Sequence, residues 1–177
     1  MPLKIAGFSL LEMLIAMAIS AVIMLSTGRF LPLLLAENAG VLQQAQLRQE
    51  LQQMMATLEK AVRRAGYCHG ECGSGALKIS ENCLLLRWDE NSNGKWEPVG
   101  HTESDYYGFR LRQQQLEMQR GVDQCQSAGW EQLSDPAFMT VEQFGISHQG
   151  TQVRIVLQGR AGRWLETVES WLEGVNL

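Results

Sequence analysis

Residues 8–28 read FSLLEMLIAMAISAVIMLSTG, and this stretch decides the plan of the chain. It carries a single charge, Glu12, in a run long enough to cross a hydrocarbon core as a helix rising about 1.5 Å per residue. A secretory signal peptide has a shorter apolar region followed by a small-residue cleavage site. The flank Thr27-Gly28-Arg29-Phe30-Leu31-Pro32 offers no such site, so the segment reads as one that stays in the mature protein. Glu12 also separates it from a plain anchor. A lone carboxylate at that depth costs about 3 kcal/mol on insertion scales and calls for a partner. A free ammonium on Phe8 of a neighbouring subunit would supply one, provided the chain were cut between Gly7 and Phe8.

Moving outward, helical periodicity continues past Pro32, a residue that removes one N–H and kinks or loosens a helix. Leu47, Leu51, Met54, Leu58 and Val62 recur at three- and four-residue steps with Gln, Arg and Glu between them. This spacing predicts one amphipathic helix to about Arg64, stopped at Gly66, whose apolar stripe seats a globular domain. Beyond Gly66 the period shortens to two. Strands are expected at Ala76 to Ser80, Cys83 to Trp88, Tyr107 to Gln113, Gln115 to Arg120, Thr140 to Ser147 and Val153 to Leu157. Glu81-Asn82 suits a tight hairpin between the first two. The tail, with Trp164, Leu165, Val168, Trp171, Leu172 and Val175, fits a helix face too, but a final strand would better complete a sheet. The expected class is α+β: a long N-terminal helix, transmembrane then amphipathic, packed on an antiparallel β-sheet.

Charge and cysteines set the compartment. The 177 residues sum to a formal −4, but residues 66–177 hold 9 Lys/Arg against 15 Asp/Glu. A domain of net −6 with no basic stripe repels phosphate backbones, which argues against nucleic acid as a partner. Cys68, Cys72, Cys83 and Cys125 all follow the apolar segment, and an even number beyond a membrane span reads as two disulfides in an oxidising compartment. A zinc site would want C-x-x-C knuckles, whereas the first two cysteines are spaced C-x-x-x-C around His69. Four cysteines allow three connectivities. Cys72 with Cys83 and Cys68 with Cys125 is the pairing expected here, because it would clamp the helix end to the sheet.

Asp89-Glu90-Asn91-Ser92-Asn93-Gly94-Lys95-Trp96-Glu97 matches the first half of an EF-hand loop, D-x-[DN]-x-[DN]-G. Asp89, Asn91, Asn93, Glu97 and the Lys95 carbonyl could offer oxygens to calcium, and Gly94 allows the sharp turn. Position twelve is Gly100 instead of the bidentate Glu, so any affinity would be weak. The competing reading is an Asx-rich turn that caps its own backbone. Apart from this weak calcium site no cofactor is expected. His69, His101 and His148 are scattered, and no nucleophile elbow or Gly-rich phosphate loop occurs, so no enzyme activity is expected.

Gly7-Phe8-Ser9-Leu10-Leu11-Glu12 resembles the type IV prepilin signature: a leader ending in Gly, an aromatic first mature residue and Glu at mature position five. The layout resembles minor pilins and pseudopilins of the J/W type. Within that group it is similar to the enterobacterial prepilin peptidase-dependent protein B family, through GFSLLEMLIAMAIS, RRAGYCHGEC (63–72), LRWDENSNGKWE (86–97) and GFRLR (108–112). The resemblance implies cleavage after Gly7 by prepilin peptidase and N-methylation of Phe8, with Glu12 as the assembly charge. It divides the chain into a leader (1–7), a transmembrane helix (8–31), an amphipathic half-helix (32–65) and a β-rich pilin domain (66–177). The implied location is the inner membrane, single-pass, with the C-terminal domain periplasmic, and the pilus tip after assembly. The implied partners are other minor pilins and the major pilin, in a tip complex that primes and caps a type IV pilus. A type II secretion pseudopilin and a membrane-anchored periplasmic binding module are the alternatives.

Overall fold

A computed structural model describes residues 9–174 and residue 176 of the chain. Two compact units divide it, one up to Leu42 and one from Gln43 onward. Helix α1, Leu10–Arg64, is assigned without a break through Pro32 and so contributes to both units. In the first unit every large apolar side chain between Leu10 and Leu42 is 43–78% exposed. Ser26 and Thr27 turn their hydroxyls back onto the carbonyls of Val22 and Ile23, each at 2.9 Å. These bonds satisfy the two hydroxyls within the helix, as an apolar surrounding requires.

The second unit begins inside α1, not at Gly66, because the amphipathic stripe is part of its core. Leu47, Leu51, Met54, Leu58 and Val62 are all buried, and they pack against apolar residues from every long strand. The helix ends at Arg64, and Gly66 takes the left-handed φ of +81° that turns the chain away.

The expected strands form, but in two antiparallel sheets instead of one. The first follows the order β1 (Leu77–Ser80), β2 (Cys83–Arg87), β3 (Tyr106–Arg112), β4 (Gln115–Arg120) and β5 (Glu131–Gln132). The second is β6 (Thr140–Gln149), β7 (Gln152–Ala161) and β8 (Trp164–Glu173), so the tail is a strand. Both are meanders whose neighbours in sequence are neighbours in space. Alternation decides the faces. Leu84 and Leu86 of β2 point to the helix, while Cys83 and Leu85 point to a small second cluster with Val122, Cys125 and Trp130. In β7, Val153, Ile155 and Leu157 face inward, and the strand carries on past the expected end at Leu157 to Ala161. The β3–β4 turn falls on Gln113-Gln114, both with positive φ (50° and 60°). Two such residues twist with the strands they join, and this geometry outweighs the strain on a non-glycine pair.

Candidate functional site

Two regions carry the residues singled out from sequence: the N-terminal part of α1, and the loop leaving β2. Gly7 and Phe8 lie outside the described residues. Glu12 stands in the first turn of α1, exposed, with its carboxylate accepting the Ser9 backbone N–H at 3.4 Å. This is half of a capping box, and it places a negative charge where the helix dipole favours one. Around it lies a continuous apolar helix surface that nothing in the described chain covers, of a length that can cross a membrane.

The second region starts where β2 ends. Trp88 stacks on Tyr107 with ring centroids 3.7 Å apart and planes inclined by 5°. Arg64, the last residue of α1, reaches over the Trp88 ring and pairs with Glu90 at 3.1 Å, tying the helix end to the loop. Asp89 is almost fully buried. Its carboxylate accepts the backbone N–H groups of Gly94 (2.9 Å), Asn93 (3.0 Å) and His69 (3.1 Å). Burial by itself would raise the Asp89 pKa, but the N–H donors of His69, Gly94, Asn93 and Ser92 outweigh it and hold the group below its ordinary 3.8. Asp89 thus joins the cysteine loop after α1 to the loop after β2.

The other proposed ligands are spread out. Asn91 is exposed and its Oδ1 accepts the Asn93 N–H at 3.1 Å, while Asn93 Oδ1 accepts the Lys95 N–H at 3.2 Å. These are local Asx turns. Asn93 Nδ2 donates to Glu97 Oε1 at 2.6 Å, and Lys95 Nζ lies 3.4 Å from that same oxygen. Glu97 is buried, and its backbone N–H donates at 3.0 Å to Asp105, a fully buried residue just before β3. Sequence reading missed Asp105. The only signal for it was an acid placed immediately before a strand rich in Tyr and Phe. The bond from the Glu97 N–H sets the Asp105 carboxylate beside Glu97. Burial, then the contact with Glu97, pushes Asp105 up, and the hydrogen bond from Asp105 holds Glu97 down at about 2.

The four cysteines form two disulfides, but with a pairing different from the one expected: Cys68–Cys72 and Cys83–Cys125. The period of two along β2 explains the difference. Cys83 starts β2 and faces the outer cluster, to which the chain after β4 returns Cys125, whereas Cys68 and Cys72 lie by Asp89, beyond the other end of that strand. Cys68 and Cys72 approach Asp89 closely, yet sulfurs joined to each other are not thiolates and do not form a metal site. A groove of about 570 Å³ between β1 and β6 has His148 as the single titratable side chain among its described lining residues.

An exposed apolar helix with one carboxylate at its start matches a known motif. Residues 3–28 match the prokaryotic N-terminal methylation motif, and residues 40–174 match the family model described as prepilin peptidase-dependent protein B. The second match covers most of the chain. The chain belongs to the prepilin peptidase-dependent protein B family. It is 42% identical over 151 residues to prepilin peptidase-dependent protein B of Escherichia coli K12, covering 84% of this chain and 81% of that one. No solved structure matches it. Membership in this family makes the chain a type IV pilin-like protein, anchored in a membrane through α1. The disulfides and the Asp89 loop both lie in the part matched by the family model.

Proposed function

We propose that the protein is a minor pilin that primes and caps a type IV pilus as part of a tip complex of minor pilins. The observation that carries this reading is the apolar surface of α1 up to Leu42, unburied within the chain and marked by one carboxylate at its membrane-entry end. Lipid covers such a surface before assembly, and the helices of neighbouring subunits cover it afterwards. On this reading prepilin peptidase cuts after Gly7, Phe8 is N-methylated, and its ammonium meets Glu12 of an adjacent subunit. Each charge alone is expensive in an apolar medium, and pairing offsets much of that cost. The pair also fixes the axial stagger of the two helices. The partners are the other minor pilins and the major pilin, and the domain after α1 is periplasmic, where disulfides form. The role is structural and not enzymatic.

Mass spectrometry of membrane-extracted protein tests the first step. An N-methyl-Phe8 terminus is expected in cells with active peptidase, and an intact Met1 terminus would overturn the reading. Deleting the gene and scoring surface pili against released exoproteins then separates a pilus subunit from a secretion pseudopilin. Pili are expected to fall while secretion persists.

A further inference from the structure

We propose that the loop between β2 and β3 is a low-affinity calcium site built on the neighbouring carboxylates of Glu97 and Asp105. Three carboxylates are buried within this one segment: Asp89, Glu97 and Asp105 are 1%, 4% and 0% exposed. Among the described residues one cationic side chain touches them, Lys95, at 3.4 Å from Glu97 Oε1, and it is itself 72% exposed. Negative charge is therefore in excess where solvent is excluded. Buried charge without a partner is costly, so such a cluster takes up either a proton or a cation.

The unused oxygens locate the ion. Asp89 is committed to backbone N–H groups and organises the loop. Asp89, Glu97 and Asp105 do not all bring an oxygen within 4.8 Å of one another, so Asp89 shapes the site without sharing its centre. Glu97 Oε2 is different: it is buried and meets no N–H or hydroxyl donor among the described residues, although Oε1 of the same carboxylate is held by Asn93. The Asp105 carboxylate accepts the backbone N–H groups of Glu90 (3.1 Å) and of Glu97 itself (3.0 Å), which holds it beside Glu97. Each Asp105 oxygen keeps a second lone pair. Two neighbouring buried carboxylates, one with an orphan oxygen, fit a hard divalent ion with water completing its shell. Oxygen donors without thiolate or imidazole disfavour zinc, and an irregular pair suits calcium better than magnesium, which demands a near-ideal octahedron.

The test uses the full processed chain in detergent, stripped with chelator and titrated with calcium or magnesium chloride at fixed ionic strength. Thermal unfolding is followed by tryptophan fluorescence, since Trp88 and Trp96 flank the loop, and calorimetry counts the ions bound. One calcium per chain is expected, with a Kd in the 10⁻⁴–10⁻³ M range of extracellular modules. The Tm should rise by about 3–6 °C at ~10 mM calcium, and less with magnesium. Glu97→Gln keeps the acceptor for Asn93 and gives Asp105 an amide donor. The chelated variant should therefore melt above the chelated parent, and its calcium response should vanish. Asp105→Asn should also abolish the response, a check that holds if Glu97→Gln fails to fold. A parent that binds no calcium, or either variant binding it like the parent, overturns the proposal.

Discussion

The backbone of Gly159 in β7 lies so close to α1 that a methyl group on the glycine would stand 3.0 Å from Leu51 Cδ2. The same methyl would lie 2.7 Å from Met139 Cε. Helix and sheet touch here without a side chain from β7 between them, at the centre of the apolar stripe. Gly159→Val should therefore force Leu51 and Met139 out of their rotamers and cost about 1–3 kcal/mol. Gly159→Ala should cost less, because Met139 can swing its flexible end away. Urea unfolding of the two variants measures the difference; a neutral valine would show that the contact is loose.

The two disulfides should differ in what they contribute. Cys83–Cys125 closes a separation of 42 residues, whereas Cys68–Cys72 closes one of 4. In the chain-entropy model these loops restrict the unfolded state by about 4 and about 2 kcal/mol respectively. Cys83 is also buried in the outer cluster with Leu85 and Val122, so its removal leaves a defect as well. Cys83→Ala/Cys125→Ala should lower Tm more than Cys68→Ala/Cys72→Ala. Peptide mapping without reductant should recover the pairs 68–72 and 83–125.

Asp89 should matter more to stability than its place in a loop suggests. Asp89→Ala leaves three backbone N–H donors without their acceptor in a buried setting, at a cost of about 2–4 kcal/mol. Its folded pKa lies below the 3.8 of the free group. The stabilisation is therefore complete above the unfolded value and is lost as pH falls below 3.8 towards the folded one. Acid titration of the chelated protein checks the sign: the gap between parent and Asp89→Ala should close at low pH.

Glu12→Ala and Glu12→Gln test the assembly account. Both should leave cleavage, membrane insertion and the domain from Gln43 onward intact, since Glu12 belongs to the other unit and, among the described residues, its carboxylate accepts one hydrogen bond, from the Ser9 N–H. Both should reduce pilus number and cross-linking to other minor pilins, because glutamine keeps the shape but not the charge. Wild-type pili from both variants would remove the charge pair from the mechanism.

Local periodicity determined much of this protein from sequence alone. The stripe Leu47, Leu51, Met54, Leu58 and Val62 names the buried face of α1 because residues three and four apart share a helix face, whatever they pack against. Alternation and turn residues likewise marked six of the seven longer strands, while the tail also fitted a helix face and is a strand because it pairs with β7; the lone Glu12 in an apolar run marked the family. Tertiary structure decided the rest. A period of two says that Leu84 and Leu86 share a face, but not which of two sheets covers a given part of the helix. The disulfide partners of Cys83 and Cys72 depended on which face of β2 each could reach, and spacing along the chain does not encode that. The contact of Glu97 with Asp105 arises because the loop folds back on itself over eight residues, in a segment that Asp89 and the Trp88–Tyr107 stack hold in place. Its energetics come from burial, a property of the folded chain that no single residue carries.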